Sequence, residues 1–320
     1  MSRPKVLVVA LSLLLGVSAA CGAPRMQSTL NRPPTAAEMA QLWVKPDNIA
    51  ARDLFWGTGG EKWAPKPGTT FKVEGFKETG TSPGWEVEDP ATGIGYSIKA
   101  GPEAQVEVVL SRLMWAVGYH QPPVYLLTDY DLSGEKAGEM AMTGRFRPKL
   151  GKELADNVDV WSWHENPFVG TRELKGLLVM QLIFNNWDLK TPQNKIYDVV
   201  NPGSGPARWY VVRDLGAGLG KTRWPVGSKN DPDDYESQQL VERVVNGRVE
   251  FDYHARHKEL FEDITVADVV WICELMNQLT PKQYADAFRA AAYPGPVAER
   301  FISKMRAKVQ EGLNLRGGAR

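Results

Sequence analysis

Between Phe71 and Lys99 the chain alternates apolar and polar residues in three short runs, Phe71 to Phe76, Trp85 to Glu88 and Ile94 to Lys99. The links between them, Gly80-Thr-Ser-Pro-Gly84 and Asp89-Pro-Ala-Thr-Gly93, are turn-forming and far too short for a parallel crossover. Three strands joined this way form an antiparallel meander. Gly101-Pro102 then opens a helix whose apolar positions Val106, Leu110, Leu113, Met114 and Val117 share one face, and Gly118 ends it. Two more strands are expected near Val124 to Thr128 and Glu139 to Phe146.

The period changes to helical behind this front half. Arg172 to Asn186 reads as an apolar helix, and two short strands, Lys195 to Val200 and Arg208 to Arg213, flank the turn Asn201 to Pro206. Beyond residue 260 the helices carry their own start signals, Thr265 with Asp268 and Thr280-Pro281-Lys282-Gln283. A last helix after Pro294 to Pro296 is expected to reach about Val309. The expected fold class is therefore α+β. Residues 36–146 form a small part, a sheet and one helix with an N-terminal extension; residues 147–312 form a larger, mostly helical part; residues 313–320 are a tail.

The N-terminus reads as a removable export signal over residues 1–20: Arg3 and Lys5 precede an apolar run from Val6 to Leu15, and small residues Ser18-Ala19-Ala20 precede Cys21. Two processing routes fit. Ser18-x-Ala20 suits ordinary signal peptidase, whereas Ala-Ala-Cys21-Gly resembles a lipobox in which Cys21 is acylated. Residues 21–35, rich in polar residues and Pro, read as a tether. The expected location is the periplasm or cell envelope. The chain has 38 Lys and Arg against 38 Asp and Glu, which offers no electrostatic case for nucleic acid and leaves a lipid on Cys21 as the expected membrane contact.

Cys21 and Cys273 are the only cysteines, so no disulfide framework survives processing, and Cys273 lies in an apolar run suited to a buried thiol. Neither HExxH nor CxxC occurs. His254 and His257 with Glu259 come nearest to a zinc pattern and read as a solvated face.

Candidate chemistry lies in Asn185-Asn-Trp-Asp188-Leu-Lys190-Thr-Pro-Gln-Asn194 and, one strand later, in Asp214-Leu-Gly-Ala-Gly-Leu-Gly220. Phosphoryl transfer needs phosphates held, a divalent metal placed and an acceptor hydroxyl oriented. Asp188 is the candidate to orient or deprotonate the acceptor, and Lys190 to steady the transferred group. Asn194 and Asp214 offer oxygen ligands suited to Mg²⁺ or Mn²⁺. Lys99 could reach the phosphates of ATP or another nucleotide if Glu103 or, one turn deeper, Glu107 fixes it, and Glu107 is the better placed. Gly80 and Gly84 bracket a turn whose N–H groups could approach phosphate oxygens. A hydrolase built on Asp188 and Asp214 would instead need the two carboxyl groups about 5–10 Å apart with no lysine between them.

These motifs resemble the atypical branches of the protein-kinase-like superfamily: HipA-type bacterial kinases, secretory kinases of the Golgi casein-kinase type and phosphatidylinositol kinases. Asp188 to Asn194 is similar to the catalytic loop, Asp214 to Gly220 to the metal-binding turn, Lys99 with Glu107 to the small-lobe ion pair, and Tyr119 to Pro123 to the exit from its helix. The chain also looks like an exported bacterial group sharing the Asn-Asn-Trp-Asp-Leu-Lys signature. The resemblance spans about residues 71 to 290 and implies two lobes, a bound nucleotide and metal, and an acceptor that is a protein or a small molecule. Two departures stand out. Asp188 and Asn194 are six residues apart where the kinase loop has five, and Trp187 occupies the place of the usual basic neighbour. An exported chain also meets little ATP, so the alternative expectation is a kinase fold kept as a binding or scaffold protein. The lipobox reading predicts a mature chain that starts at an acylated Cys21; mass spectrometry finding an unmodified N-terminus at residue 21 overturns it.

Overall fold

The structure, a computed structural model, describes residues 25–77, 82–134, 143–156 and 159–318. The export signal, Cys21 and Gly80 lie outside them.

The front half begins with a two-residue strand β1 (Gln27–Ser28) and a single-turn helix α1 (Ala36–Met39). Strands β2 (Thr69–Lys77), β3 (Gly84–Glu88) and β4 (Gly95–Ala100) form the expected meander. Helix α2 (Glu103–Ala116) follows, then β5 (Tyr125–Leu127), β6 (Tyr130–Ser133) and β7 (Gly144–Pro148). These strands make one sheet in the order β5-β7-β4-β3-β2-β6, antiparallel except where β6 runs parallel to β2. One face of the sheet buries Phe71, Trp85, Tyr96, Ile98 and Phe146 as a compact cluster of its own.

Helix α2 shows where a sequence-derived face misleads. Its apolar positions are buried as expected, but Glu103, Glu107 and Arg112 are buried as well. The N-terminal extension covers the other side: Arg112 donates to the carbonyls of Phe55 and Val124, and Trp43 Nε1 donates to Val117 O at 2.8 Å. A polar helical face can be buried when each group on it finds a partner.

The remaining elements are β8 (Leu154–Asp156), β9 (Glu165–Asn166), α3 (Arg172–Ile183), β10 (Asn194–Val199), β11 (Arg208–Val212), α4 (Pro232–Ser237), β12 (Val241–Val245) and β13 (Arg248–Phe251). Helices α5 (Val266–Met276), α6 (Pro281–Ala290) and α7 (Gly295–Gly318) close the chain. The boxes at Thr265/Asp268 and Thr280/Gln283 are reciprocal hydrogen-bonded pairs, so α5 and α6 start where the local sequence says they should. Helices α2, α3, α5, α6 and α7 share one large apolar core, with Cys273 buried in it and its thiol pushed up to about 12 by burial. Among the described residues no helix is long and apolar enough to cross a membrane.

Several expectations need correction. The segment read as a tether is partly docked: β1 pairs in parallel with β9, Gln27 N donating to His164 O at 2.7 Å, and Met26 packs on the core. The boundary at residue 147 falls inside β7. The tail is helical to Gly318 because Leu313 and Leu315 pack on the core and Arg316 pairs with Glu274 of α5. Strand β8 and the β12–β13 hairpin, which turns at Asn246-Gly247 with both φ angles positive, are additional elements.

Helix α7 also carries Lys308, completely buried, with Nζ donating to Asn185 Oδ1 and lying 5.0 Å from the centre of the Tyr235 ring. Burial, reinforced by Lys304, lowers its ammonium to about 7. The unfolded chain therefore binds more protons than the folded one between about pH 7 and the usual lysine range near 10.4. Stability should rise with pH across that window, approaching about 1.4 kcal/mol per unit from this group. Denaturant melts between pH 7 and 9 should show the slope in wild type and its loss in Lys308→Met.

Candidate active site

The C-terminal end of β4 brings Lys99 to the centre of a carboxylate cluster. Its Nζ lies 2.6 Å from Glu107 Oε1, 2.7 Å from Glu103 Oε2 and 3.0 Å from Asp214 Oδ1. The sequence argument preferred Glu107; the fold uses both glutamates, since they stack on one face of α2. Glu107 Oε2 in turn meets Arg145 Nε of β7 at 2.9 Å and Arg147 at 3.5 Å. Glu103 takes a second cation, Lys229, and a hydrogen bond from Ser82 Oγ at 3.1 Å.

The charges explain the protonation of the cluster. Burial opposes ionisation of Glu107, yet Arg145, Lys99 and Arg147 outweigh it and hold the carboxyl down at about 2. Burial likewise disfavours the Lys99 ammonium, and Glu107, Asp214 and Glu103 more than compensate, raising it above the usual lysine range. Asp214 behaves oppositely: burial and the nearby Glu107 charge push its carboxyl up despite Lys99. It is the most exposed acid of the three, with its side chain 40% exposed.

The Asp188 loop leaves α3 through buried amides. Asn185 sits at φ 53 and donates from Nδ2 to Gly220 O at 2.6 Å, which ties the loop directly to the Gly-rich turn after Asp214. Asn186 Nδ2 donates to Gln181 Oε1 at 2.9 Å, and Trp187 Nε1 to Ser228 O at 2.9 Å. Asp188 Oδ1 pairs with Lys190 Nζ at 2.9 Å, while Oδ2 accepts from Gln193 Nε2 at 2.7 Å.

Asn194, expected as a metal ligand, does not line the cleft. It opens β10 fully buried, with Nδ2 donating to Trp161 O at 3.1 Å, while Gln193 and Lys195 on either side line the cleft. Successive side chains of a strand face opposite ways, so one residue of offset decides which amide faces the cleft. Gln193 is the residue five positions after Asp188, and it faces the cleft from a single 3₁₀ turn, Thr191–Gln193. Its spacing was the available signal. Lys229, by contrast, is 126 residues from Glu103 and had none.

The resulting cleft of about 550 Å³ is lined by Gly84, Lys99, Glu107, Asp188, Lys190 and Asp214, all singled out from the sequence. Gly84 begins β3 opposite Lys99, where a Cβ would come within 3.1 Å of Ile98 O. Lys77, Arg145, Arg147, Lys195 and Arg213 add to the lining and leave cations in excess of carboxylates. Such a surface suits a polyanion. A larger concavity, about 670 Å³, lies beside the β12–β13 hairpin and contains none of these groups.

Oxygen atoms of Glu103, Glu107 and Asp214 come within 4.8 Å of one another, but the Lys99 ammonium lies in bonding contact with all three. Asp214 is the member suited to a hard cation, being half-buried where the two glutamates are buried and lining the cleft together with Gln193 and Asp188. Asp188 and Asp214 each carry a lysine, which is the arrangement a two-carboxylate hydrolase would avoid.

No protein-family model and no curated protein matches the chain. Among solved structures, the crystal structure of a Helicobacter pylori proinflammatory kinase, CtkA, is similar over 79% of this chain and 98% of that one, at 10% identity and a TM-score of 0.47.

Glu107→Gln leaves two buried arginines and Lys99 without their shared counter-charge, and breaking a buried ion pair costs about 3–5 kcal/mol. Equilibrium denaturation should show a loss of that order. In wild type the Glu107 contribution should be complete above the unfolded carboxylate range and disappear as pH falls toward about 2, because its folded carboxyl is the stronger acid.

Proposed function

We propose that the chain is a two-lobed, kinase-like phosphotransferase of the cell envelope that binds a nucleotide with Mg²⁺ or Mn²⁺ between its lobes. The observation that carries this reading is the convergence of Lys99, Glu107, Asp188 and Asp214 on one cation-rich cleft from four separate stretches of chain. In it, Lys99 fixed by Glu107 binds nucleotide phosphates. Gly84 lets backbone approach them. Asp214, assisted by the Gln193 amide oxygen, holds the divalent cation, which neutralises developing charge when bound. Asp188 orients the acceptor hydroxyl and receives its proton, and Lys190 beside it balances the transferred group. The acceptor is a protein or a small molecule. A lipid on Cys21 would supply the membrane contact.

A second reading, a kinase fold retained for binding, is favoured by one feature: Asn194 is fully buried and absent from the cleft lining, so the ligand set around the cation is thinner than the resemblance implies.

Thermal-shift titration separates these from a fold with no ligand in the cleft. ATP with Mg²⁺ or Mn²⁺ should stabilise wild type, by about 2.7 kcal/mol at a hundredfold excess over Kd. Lys99→Met and Asp214→Asn should abolish the shift; an equal shift in Asp214→Asn overturns the metal and nucleotide site. Phosphate release or transfer measured on the same samples decides between enzyme and binder. Asp188→Asn should keep binding and lose about 10²–10⁴-fold in turnover if the chain is an enzyme.

A further inference from the structure

Away from the cleft, three side chains from distant parts of the sequence meet at one point. His164 Nε2 lies 2.9 Å and His257 Nδ1 lies 3.1 Å from the same oxygen, Oε1 of Glu259. All three donor atoms fall within 4.8 Å of one another, and the residues are partly buried rather than spread over a solvated face. His254, the sequence neighbour that suggested a metal pattern, is elsewhere, paired with Asp252. His164 takes its place from 95 residues before Glu259.

We propose that His164, His257 and Glu259 form a binding site for a divalent transition metal, with Zn²⁺ the best match to the ligands. Two imidazoles and one carboxylate are borderline donors that favour Zn²⁺ over Mg²⁺ or Ca²⁺. With metal–ligand bonds of about 2.0–2.2 Å, a tetrahedral site spaces its donors by roughly 3.3–3.5 Å. The two recorded separations fall a few tenths of an ångström short of that, so a small opening of the side chains admits the ion. On binding, each imidazole turns a lone pair to the metal in place of the N–H it gives Glu259, and both protonated nitrogens then lie on the far side of the rings.

The surroundings support a ligand here. Among the described residues Glu259 pairs with no lysine or arginine, so the two imidazoles are its side-chain partners. His257 holds its ring in place from φ 65, a left-handed conformation that a side chain adopts at a cost and that recurs where the surroundings demand it. The ion would also tie together remote segments. Gln27 of β1 is bonded to His164 O, so the metal would staple the docked N-terminal strand and β9 to the turn Lys258–Phe261. Three protein ligands leave the fourth position to water.

The test uses the mature full-length protein stripped with chelator, then titrated calorimetrically with Zn²⁺. One saturating ion per chain and a rise in melting temperature are expected. His164→Gln and His257→Gln should each weaken binding by at least about 100-fold, more than loss of an outer-shell partner does. Asp214→Asn should leave zinc affinity unchanged, which separates this site from the cleft. Co²⁺ in place of Zn²⁺ should give the intense visible absorption of a four-coordinate site in wild type, a readout that does not depend on any variant folding. Absence of saturable Zn²⁺ binding, the weak spectrum of aqueous Co²⁺ in wild type, or undiminished affinity in a double His164→Gln, His257→Gln variant each overturns the site.

Discussion

One ammonium group organises the front of this molecule. Lys99 reaches from the central strand of the sheet to two turns of α2 and to the loop after β11, and it touches a carboxylate on each. Charges held this far from water are costly unless balanced, and the balance explains why so many distant residues converge here. Arg145 and Arg147 rise from the neighbouring strand to share Glu107, and Lys229 comes from the far side of the Asp214 turn to share Glu103. Four cations thus stand against three carboxylates. The sheet, the helix and the turn are locked together by a cluster with one more cation than carboxylates.

Behind that cluster, the loops that carry Asp188 and Asp214 are positioned by buried polar contacts as well as by the apolar packing of Leu189, Leu215 and Leu219. Asn185 links the two loops through Gly220 and is itself held by Lys308 from the last helix. Asn186 and Trp187 anchor the same stretch to α3 and to Ser228. Directional bonds of this kind fix a loop in one geometry, which apolar contacts alone do poorly, and a half-satisfied network would be worse than none. The final helix therefore has a part in the site although it contributes no residue to the cleft.

What could be read from the residues follows the range of the interactions. The meander, α2 and the capped starts of α5 and α6 depend on turns and on neighbours three or four positions away, and those were legible. The Asn246-Gly247 hairpin was equally local, and the pair carries a strong turn signal that the helical reading of the back half passed over. Within the site, Lys99, Glu107, Asp188, Lys190, Asp214 and Gly84 were all named from order and spacing. Asn194 was named for its chemistry, but Gln193 and Lys195 are the residues that line the cleft, because strand alternation, not residue type, decides which side chain faces it.

By itself, then, the amino-acid order determined the meander, α2, the capped starts of α5 and α6 and which residues can carry charge chemistry, because all of these are properties of residues and their immediate neighbours. Tertiary structure decided the rest: the sharing of Lys99 among three acids, the arrival of Lys229 at Glu103, the docking of β1 on β9, and the meeting of His164 with His257 and Glu259. Each joins groups separated by long loops, and the free energy that closes such loops comes from the burial of the whole core, which no local window of sequence contains.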